Sequence, residues 1–338
     1  MNAPPTSLRV AVVGAGLMGR WHADAVQRLG GRVVAIVDAD AGRGEALAAR
    51  LASRPAVEAD LGRALSDHAI DVVHICTPLP THEALVTQGI AAGAHLLVEK
   101  PLADDAAAVE RLHVRAAERG VLLCPVHQFL FQPGVLSLAA TLPSLGPVRQ
   151  LDVVACSAGA DGLSNRARES VALDILPHGL ALASRLLEVR LAESSWQVGV
   201  GPAGEVRATA DAGGASVMLA VSMRARPTEN SLTIRCDLGT ARANLFHGYA
   251  TIERGTPSRL DKLGRPIVGS LQTLGTAVHN LGARALRAEP AYPGLRELVR
   301  RFHRACVARA PSPITVDESI DVARARDRIA ALRHHAVA

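Results

Sequence analysis

The chain has 338 residues, 49% of them hydrophobic and 20% charged, which is enough length and apolar content for two domains with separate cores. Its net charge of +5 comes from arginines dispersed among acids, with no basic run carrying interleaved aromatics, so nucleic-acid binding is not expected. No apolar run is expected to reach membrane-spanning length, the start lacks a signal-peptide core, and the cysteines (Cys76, Cys124, Cys156, Cys236, Cys306) form no CxxC pair; the expectation is a cytoplasmic chain without membrane, disulfide framework or metal site.

Strand and helix alternate over the first 125 residues. "LRVAVVGAG" is an apolar run ending in glycines, as suits a strand buried on both faces. A helix over "MGRWHADAVQRL", a strand over "RVVAIVDAD" and a helix over "GRGEALAARLA" follow. "DVVHICTP" is a third strand, "THEALVTQGIAAG" a glycine-ended helix, and "HLLVEKP" a fourth strand. "DDAAAVERLHVRAAERG" is a helix with an acidic start, and "VLLCPVH" a fifth strand. This repetition predicts a Rossmann-type, doubly wound parallel sheet for residues 1–125.

From residue 126 to 338 the texture changes to an α/β domain with a largely antiparallel open sheet. "PGVLSLAATL" is a short helix, "PVRQLDVVACSA" a strand and "VALDILPHGLALASRLL" a helix. Six strand-like segments follow, from "SSWQVGV" to "YATIER". Along "ASVMLAVSM", Val217, Leu219, Val221 and Met223 share one face. Residues 254–270, rich in Gly, Pro and Arg, read as a loop, and helices are expected at about 272–288, 294–310 and 317–335.

"VVGAGLMG" places Gly14, Gly16 and Gly19 between the first strand and first helix, with Leu17 and Met18 among them. Glycines there allow a tight turn and let a pyrophosphate approach a helix N-terminus. Asp38 ends the second strand, where a carboxylate can accept hydrogen bonds from ribose hydroxyls and would repel a 2′-phosphate. NAD is therefore the expected cofactor, with NADP as the alternative because Arg43 could offset Asp38.

Ligands of open α/β sheets bind beyond the carboxyl ends of the strands, which puts Thr77, Pro78, His82, Glu99 and Lys100 on the cofactor side. His82 reads equally well as a helix-start histidine with a structural hydrogen bond. Glu99 and Lys100 could be a solvated pair, but only two of the 37 basic residues are lysine, Lys100 and Lys262. A lysine amine can lose its proton where arginine cannot, so Lys100 is a candidate titrating group. "LDILPHGLAL" puts Asp174 and His178 four residues apart on one helix face. Pro177 suits the first turn of a helix, which would set this pair at the helix start. On spacing alone, a packed histidine is the favoured reading of His178.

The ordered set Gly14-x-Gly16-x-x-Gly19-x-x-His22, Asp38, "CTPLPTH", "AAGAHLLVEKPL" and "LDILPH" resembles the Gfo/Idh/MocA oxidoreductase family (glucose–fructose oxidoreductase, inositol dehydrogenase and relatives). The resemblance runs along essentially the whole chain. It implies catalytic roles for Lys100, Asp174 and His178, with His178 as general base, Lys100 as hydrogen-bond donor to the reacting oxygen and Asp174 orienting one of them. It further implies cofactor contacts by Glu99 and the Thr77-Pro78 turn, and a substrate among sugars, polyols and nucleotide sugars. A homo-oligomer, dimer or tetramer, built through the open sheet is also implied. Two departures fall where substrate would touch. "RESVALD" replaces a glycine-rich approach to Asp174, and His127 and Gln128 in "VHQFLFQP" stand near the position of a frequent arginine. Two other activities of similar proteins stay open, an NAD-dependent redox-neutral glycosidase and a non-catalytic NAD-binding sensor with a protein partner.

Overall fold

The computed structural model describes residues 8–255 and 259–337. The chain divides into two compact units, the first comprising the residues through His127 and Leu295–Ala323, the second Gln128–Gly294 and the residues from Arg324 onward.

In chain order the first unit runs β1 (Arg9–Val13), α1 (Leu17–Arg28), β2 (Arg32–Val37), α2 (Ala41–Ala48), β3 (Ala56–Glu58), α3 (Leu61–Asp67), β4 (Val72–Ile75), α4 (His82–Ala91), β5 (His95–Val98), α5 (Ala106–Glu118) and β6 (Leu123–Pro125). The sheet is wholly parallel, in the order β3-β2-β1-β4-β5-β6. The chain therefore winds outward both ways from β1, and the crevice for a ligand lies at the carboxyl ends of β1 and β4. Val10, Ala11, Val12, Val73, Leu96 and Leu97 are fully buried, as in a sheet covered on both faces. Aspartates start three helices: Asp40, Asp60 and Asp105 accept the backbone N–H of Arg43, Arg63 and Ala108. The short β3 and α3 were not expected, because three residues cannot display a strand's alternation.

The second unit holds α6 (Pro133–Thr141), β7 (Val148–Cys156), α7 (Asn165–Leu187), β8 (Gln197–Val198), β9 (Glu205–Ala212), β10 (Ala215–Ser222), β11 (Glu229–Cys236), β12 (Gly239–Asn244), β13 (Tyr249–Arg254) and α8 (Arg259–Leu286). Its sheet runs β13-β12-β11-β7-β10-β9-β8, antiparallel except for the β7–β10 pair. Val217, Leu219, Val221 and Met223 form its buried face on β10. α7 lies over β7 and β10, and a Cβ on Gly179 would sit 3.1 Å from Leu219 and 3.4 Å from Val153, so the glycine sets how closely the helix approaches. The chain then forms α9 (Leu295–Ala308) in the first unit and α10 (Val316–Val337), which begins in the first and ends in the second.

Four expectations are corrected. The segment read as a loop at 254–270 is helical from Arg259 on, while residues 256–258 lie outside the described residues. Glycine, proline and arginine hid a 3.6-residue period that starts with Leu263 and Ile267. α7 begins at Asn165, capped by Ser164, so Pro177 is an interior residue and Asp174 and His178 lie mid-helix. The missing proline N–H is outweighed by Leu173, Leu176, Leu180 and Ala183, which bury the stripe that spans it. α7 also has the length and apolarity of a membrane span (mean hydropathy 1.2), but 56% of that window is buried within the structure, as in a core helix. Residues 295–323, assigned from sequence to the second domain, belong to the first unit, where Phe302, Leu298 and Val299 of α9 are fully buried and α9 packs on α1.

Candidate functional site

β1 delivers the chain to Gly14 at φ 94°, a left-handed value that glycine adopts without strain. A Cβ there would stand 2.9 Å from the Cys76 backbone, and a Cβ on Gly19 would overlap the Gly14 carbonyl oxygen. Both glycines therefore close the turn. Gly16 differs: no atom lies within 4 Å of its would-be Cβ. It is the N-cap of α1 and no side chain caps that end, while Leu17 is 58% exposed and Met18 half-buried. The first amides of α1 thus meet an open approach beside the positive end of the helix dipole, which fits a pyrophosphate.

Asp38 is fixed at the end of β2, its side chain 7% exposed. Its Oδ2 accepts the Ala15 N–H at 2.7 Å and its Oδ1 the Asp40 N–H at 2.9 Å, with Arg43 Nη2 3.5 Å from Oδ1. The carboxylate therefore ties the second strand to the glycine turn, with an arginine beside it.

Beyond β4, the Thr81 hydroxyl donates to Thr77 Oγ1 at 2.7 Å, and Pro78 is exposed. His82 is 1% exposed, with Nδ1 2.9 Å from the Pro101 carbonyl oxygen and Nε2 2.8 Å from that of Thr77. His82 clasps the segments after β4 and β5 together, the structural hydrogen-bond reading of this histidine. Beyond β5, buried Glu99 accepts the Lys100 backbone N–H through Oε2 at 3.2 Å, and Lys100 is half-buried.

Glu99 also ends a buried chain of histidines that sequence reading missed. Its Oε1 lies 3.3 Å from His22 Nε2, His22 Nδ1 lies 3.1 Å from His74 Nδ1, and His74 Nε2 lies 3.0 Å from His303 Nε2. One tautomer pattern gives each contact a single proton, with His303 donating to His74, His74 to His22 and His22 to Glu99. Burial, followed by the neighbouring histidines, holds His74 well below the usual histidine range, and burial with His22 brings His303 to about 4. Burial and then Glu99 raise the Cys76 thiol. Burial alone brings His113, whose Nε2 lies 2.9 Å from Ser319 Oγ, to about 4.

These depressed values set a pH dependence. Unfolded histidine titrates near 6.5, so as pH falls from there towards 4 the unfolded chain binds protons that the native His113 and His303 refuse. Stability is fully present above the upper value and is lost on the way down, by about 3 kcal/mol for each histidine at pH 4. Denaturant titrations of wild type and His113→Gln between these pH values should show a shallower acid loss in the variant. Parallel curves would mean that His113 titrates normally in the folded chain.

In the second unit, His178 is 9% exposed and stacks on Phe129, ring centroids 4.4 Å apart at 25°. Asp174 Oδ1 accepts from Arg326 Nη2 at 3.3 Å, a partner that no local pattern announced. Gln128 is buried, and its Oε1 has no hydrogen-bond partner among the described residues. His127, at the end of the first unit, is buried with its backbone N–H on the Pro125 carbonyl at 3.0 Å. Among the described residues no His, Cys, Asp or Glu cluster has a metal-holding arrangement.

Comparison with known proteins covers the two units unequally. Residues 8–127 match the family described as oxidoreductase family, NAD-binding Rossmann fold. Inositol 2-dehydrogenase 1 of Saccharopolyspora erythraea is 42% identical over 116 residues, 34% of either chain. UDP-N-acetylglucosamine 3-dehydrogenase of Acidithiobacillus ferrooxidans is 34% identical over 140 residues, 38% of this chain and 42% of that one. The matched segments thus span between about a third and two fifths of these relatives' length. The fold extends further: GenD2 from gentamicin A biosynthesis, solved in complex with NAD, superposes over 98% of this chain and 96% of its own, with a TM-score of 0.76 at 22% identity. Residues 8–127, with their glycine turn, Asp38 and "VEKP", thus match the NAD-binding Rossmann part of the Gfo/Idh/MocA oxidoreductases.

Proposed function

We propose that the chain is an NAD-dependent dehydrogenase acting on a secondary alcohol or ketone of a sugar, polyol or nucleotide sugar. The observation that carries this reading is the uncapped N-terminus of α1, open at Gly16 and bonded through Ala15 to Asp38. Gly14 to Gly19 would hold the pyrophosphate, Asp38 the adenosine ribose, and Thr77, Pro78 and Glu99 would line the nicotinamide side. Bound NAD supplies the hydride acceptor. The substrate hydroxyl proton must leave as the hydride does, so a base has to reach it. His178 takes that role, Lys100 donates a hydrogen bond to the same oxygen and stabilises its developing charge, and Asp174 is a positioning residue held by Arg326. His127 and Gln128 would contact substrate. The relatives' names, inositol and UDP-N-acetylglucosamine dehydrogenases, support the substrate class. A turnover screen of NAD and NADP against polyols, sugars, sugar acids and nucleotide sugars, read as NADH absorbance, tests it. Glycoside cleavage without net NADH would point to the redox-neutral alternative, and NAD binding without turnover of any kind would point to a sensor.

Arg43, 3.5 Å from Asp38, keeps NADP in play. Asp38→Ser is expected to weaken NADH binding roughly tenfold or more, the scale of a lost charge-assisted hydrogen bond, and to relax discrimination against NADPH. Fluorescence titration with both cofactors checks this. Unchanged affinities would remove Asp38 from the ribose.

A further inference from the structure

α8 turns its polar side to its own unit. Gln272 Nε2 donates to the Ile252 carbonyl at 3.0 Å, Asn280 Nδ2 and Arg284 Nη1 each donate to that of His247 at 3.0 Å, and Arg265 pairs with Glu253 of β13. The opposite side carries Leu263, Ile267, Leu271, Leu274, Val278 and Leu281, each at least 61% exposed. At about 100° per residue these six share one stripe roughly 80° wide. Val268 and Leu286 flank it at 64% and 92% exposure. A surface helix of a monomer is built the other way round, apolar stripe inward. An exposed apolar strip of this length marks a surface that is covered in the working molecule.

We propose that this stripe is a two-fold interface between two copies of this chain, with the α8 helices antiparallel and crossing at Leu274. The spacing is self-complementary. Ile267 and Leu281 lie seven residues to either side of Leu274, and Leu271 and Val278 lie three before and four after it. Antiparallel pairing sets each apolar residue opposite another, in the three-four rhythm of a helix seam, and opposes the two helix dipoles. Residues 266–283 contain no Asp, Glu, Lys or Arg, so the symmetric contact brings no like charges together. The eight side chains offer on the order of 600 Å² of apolar surface per chain. With the intervening backbone this approaches the ~800 Å² per partner of a stable interface. A membrane surface fits less well, since a helix lying on lipid carries Lys and Arg along its polar face. Here that face is uncharged over 266–283 and is bonded to the unit's own strands. The open sheet, which the family resemblance points to as an oligomer contact, borders this helix, since Arg242 and Thr251 of the sheet line one cavity with Leu274.

The test is the mass of the full-length chain in solution. Light scattering behind size exclusion should give an even-numbered oligomer for wild type, and half that mass for Leu271→Glu/Leu274→Glu with unchanged circular dichroism and NADH affinity. Leu274→Cys puts a thiol on the proposed axis. Mild oxidation should give a reducible band of twice the chain mass, absent from wild type treated the same way. A monomeric wild type overturns the proposal, as does a double variant of unchanged mass or the absence of that crosslink. Vesicle binding by α8 without change of mass would also overturn it, in favour of a lipid surface. None of these outcomes bears on the dehydrogenase reading, which the turnover screen decides separately.

Discussion

Lys100→Arg is expected to lower turnover about a hundredfold or more, the usual loss for a positioned acid–base or oxyanion group. NADH affinity should stay near wild type, because on this reading the pyrophosphate would be held by the backbone from Gly14 to Gly19. The lysine follows directly on β5, half-buried, with its own N–H anchored on Glu99. Arginine at this position keeps the charge but brings a broader planar group that does not release its proton. Lys100→Met keeps most of the length, loses the charge and should fall as far. Steady-state kinetics on the substrate found by the screen, paired with NADH titration, read both quantities. Near wild-type turnover in the arginine variant would show that charge alone is required, and the scarcity of lysine in this chain would then carry no meaning.

His178→Ala should also reduce turnover by about 10²–10⁴-fold if the imidazole accepts the substrate proton. This variant has a second effect, since it removes the ring stacked on Phe129, and should lose about 1–3 kcal/mol of folding stability. His178→Phe separates the two. It keeps an aromatic ring on Phe129 and removes both ring nitrogens, so stability should recover while activity stays low. Recovery of activity along with stability would make His178 a packing residue of α7, the reading its spacing alone favours.

The parallel sheet was legible because its strands are continuous apolar runs separated by helical segments, and the glycine turn because it stands after the first of them. Its two tight positions, Gly14 and Gly19, and its open one, Gly16, serve different purposes that no motif distinguishes. Asp38 was legible as a strand-end carboxylate, but its bond to Ala15 depends on how far the turn curls back. His82 was ambiguous in sequence, and the two carbonyl oxygens within its hydrogen-bond reach come from separate loops that no local pattern brings together. The histidine chain was out of reach, since His74 and His303 are 229 positions apart, one in a short apolar strand and the other in an arginine-rich amphipathic helix. α8 was missed in part because its glycines and Pro266 mimic a loop, and because an apolar stripe facing outward satisfies none of the contacts by which a helix is usually inferred.

The return of the chain at Leu295 has a consequence for synthesis. The strands β1 to β6 leave the ribosome with His303, one of the two partners of His74, still unmade, since all of α6 to α8 must be translated before α9 exists. Until then the α1 surface that α9 covers has nothing to pack on. A gene fragment ending near residue 127 would leave the nucleotide-binding unit permanently in that incomplete condition. One that joins residue 127 to 295–323 through a short linker would supply the missing helix in cis and should be the better soluble product.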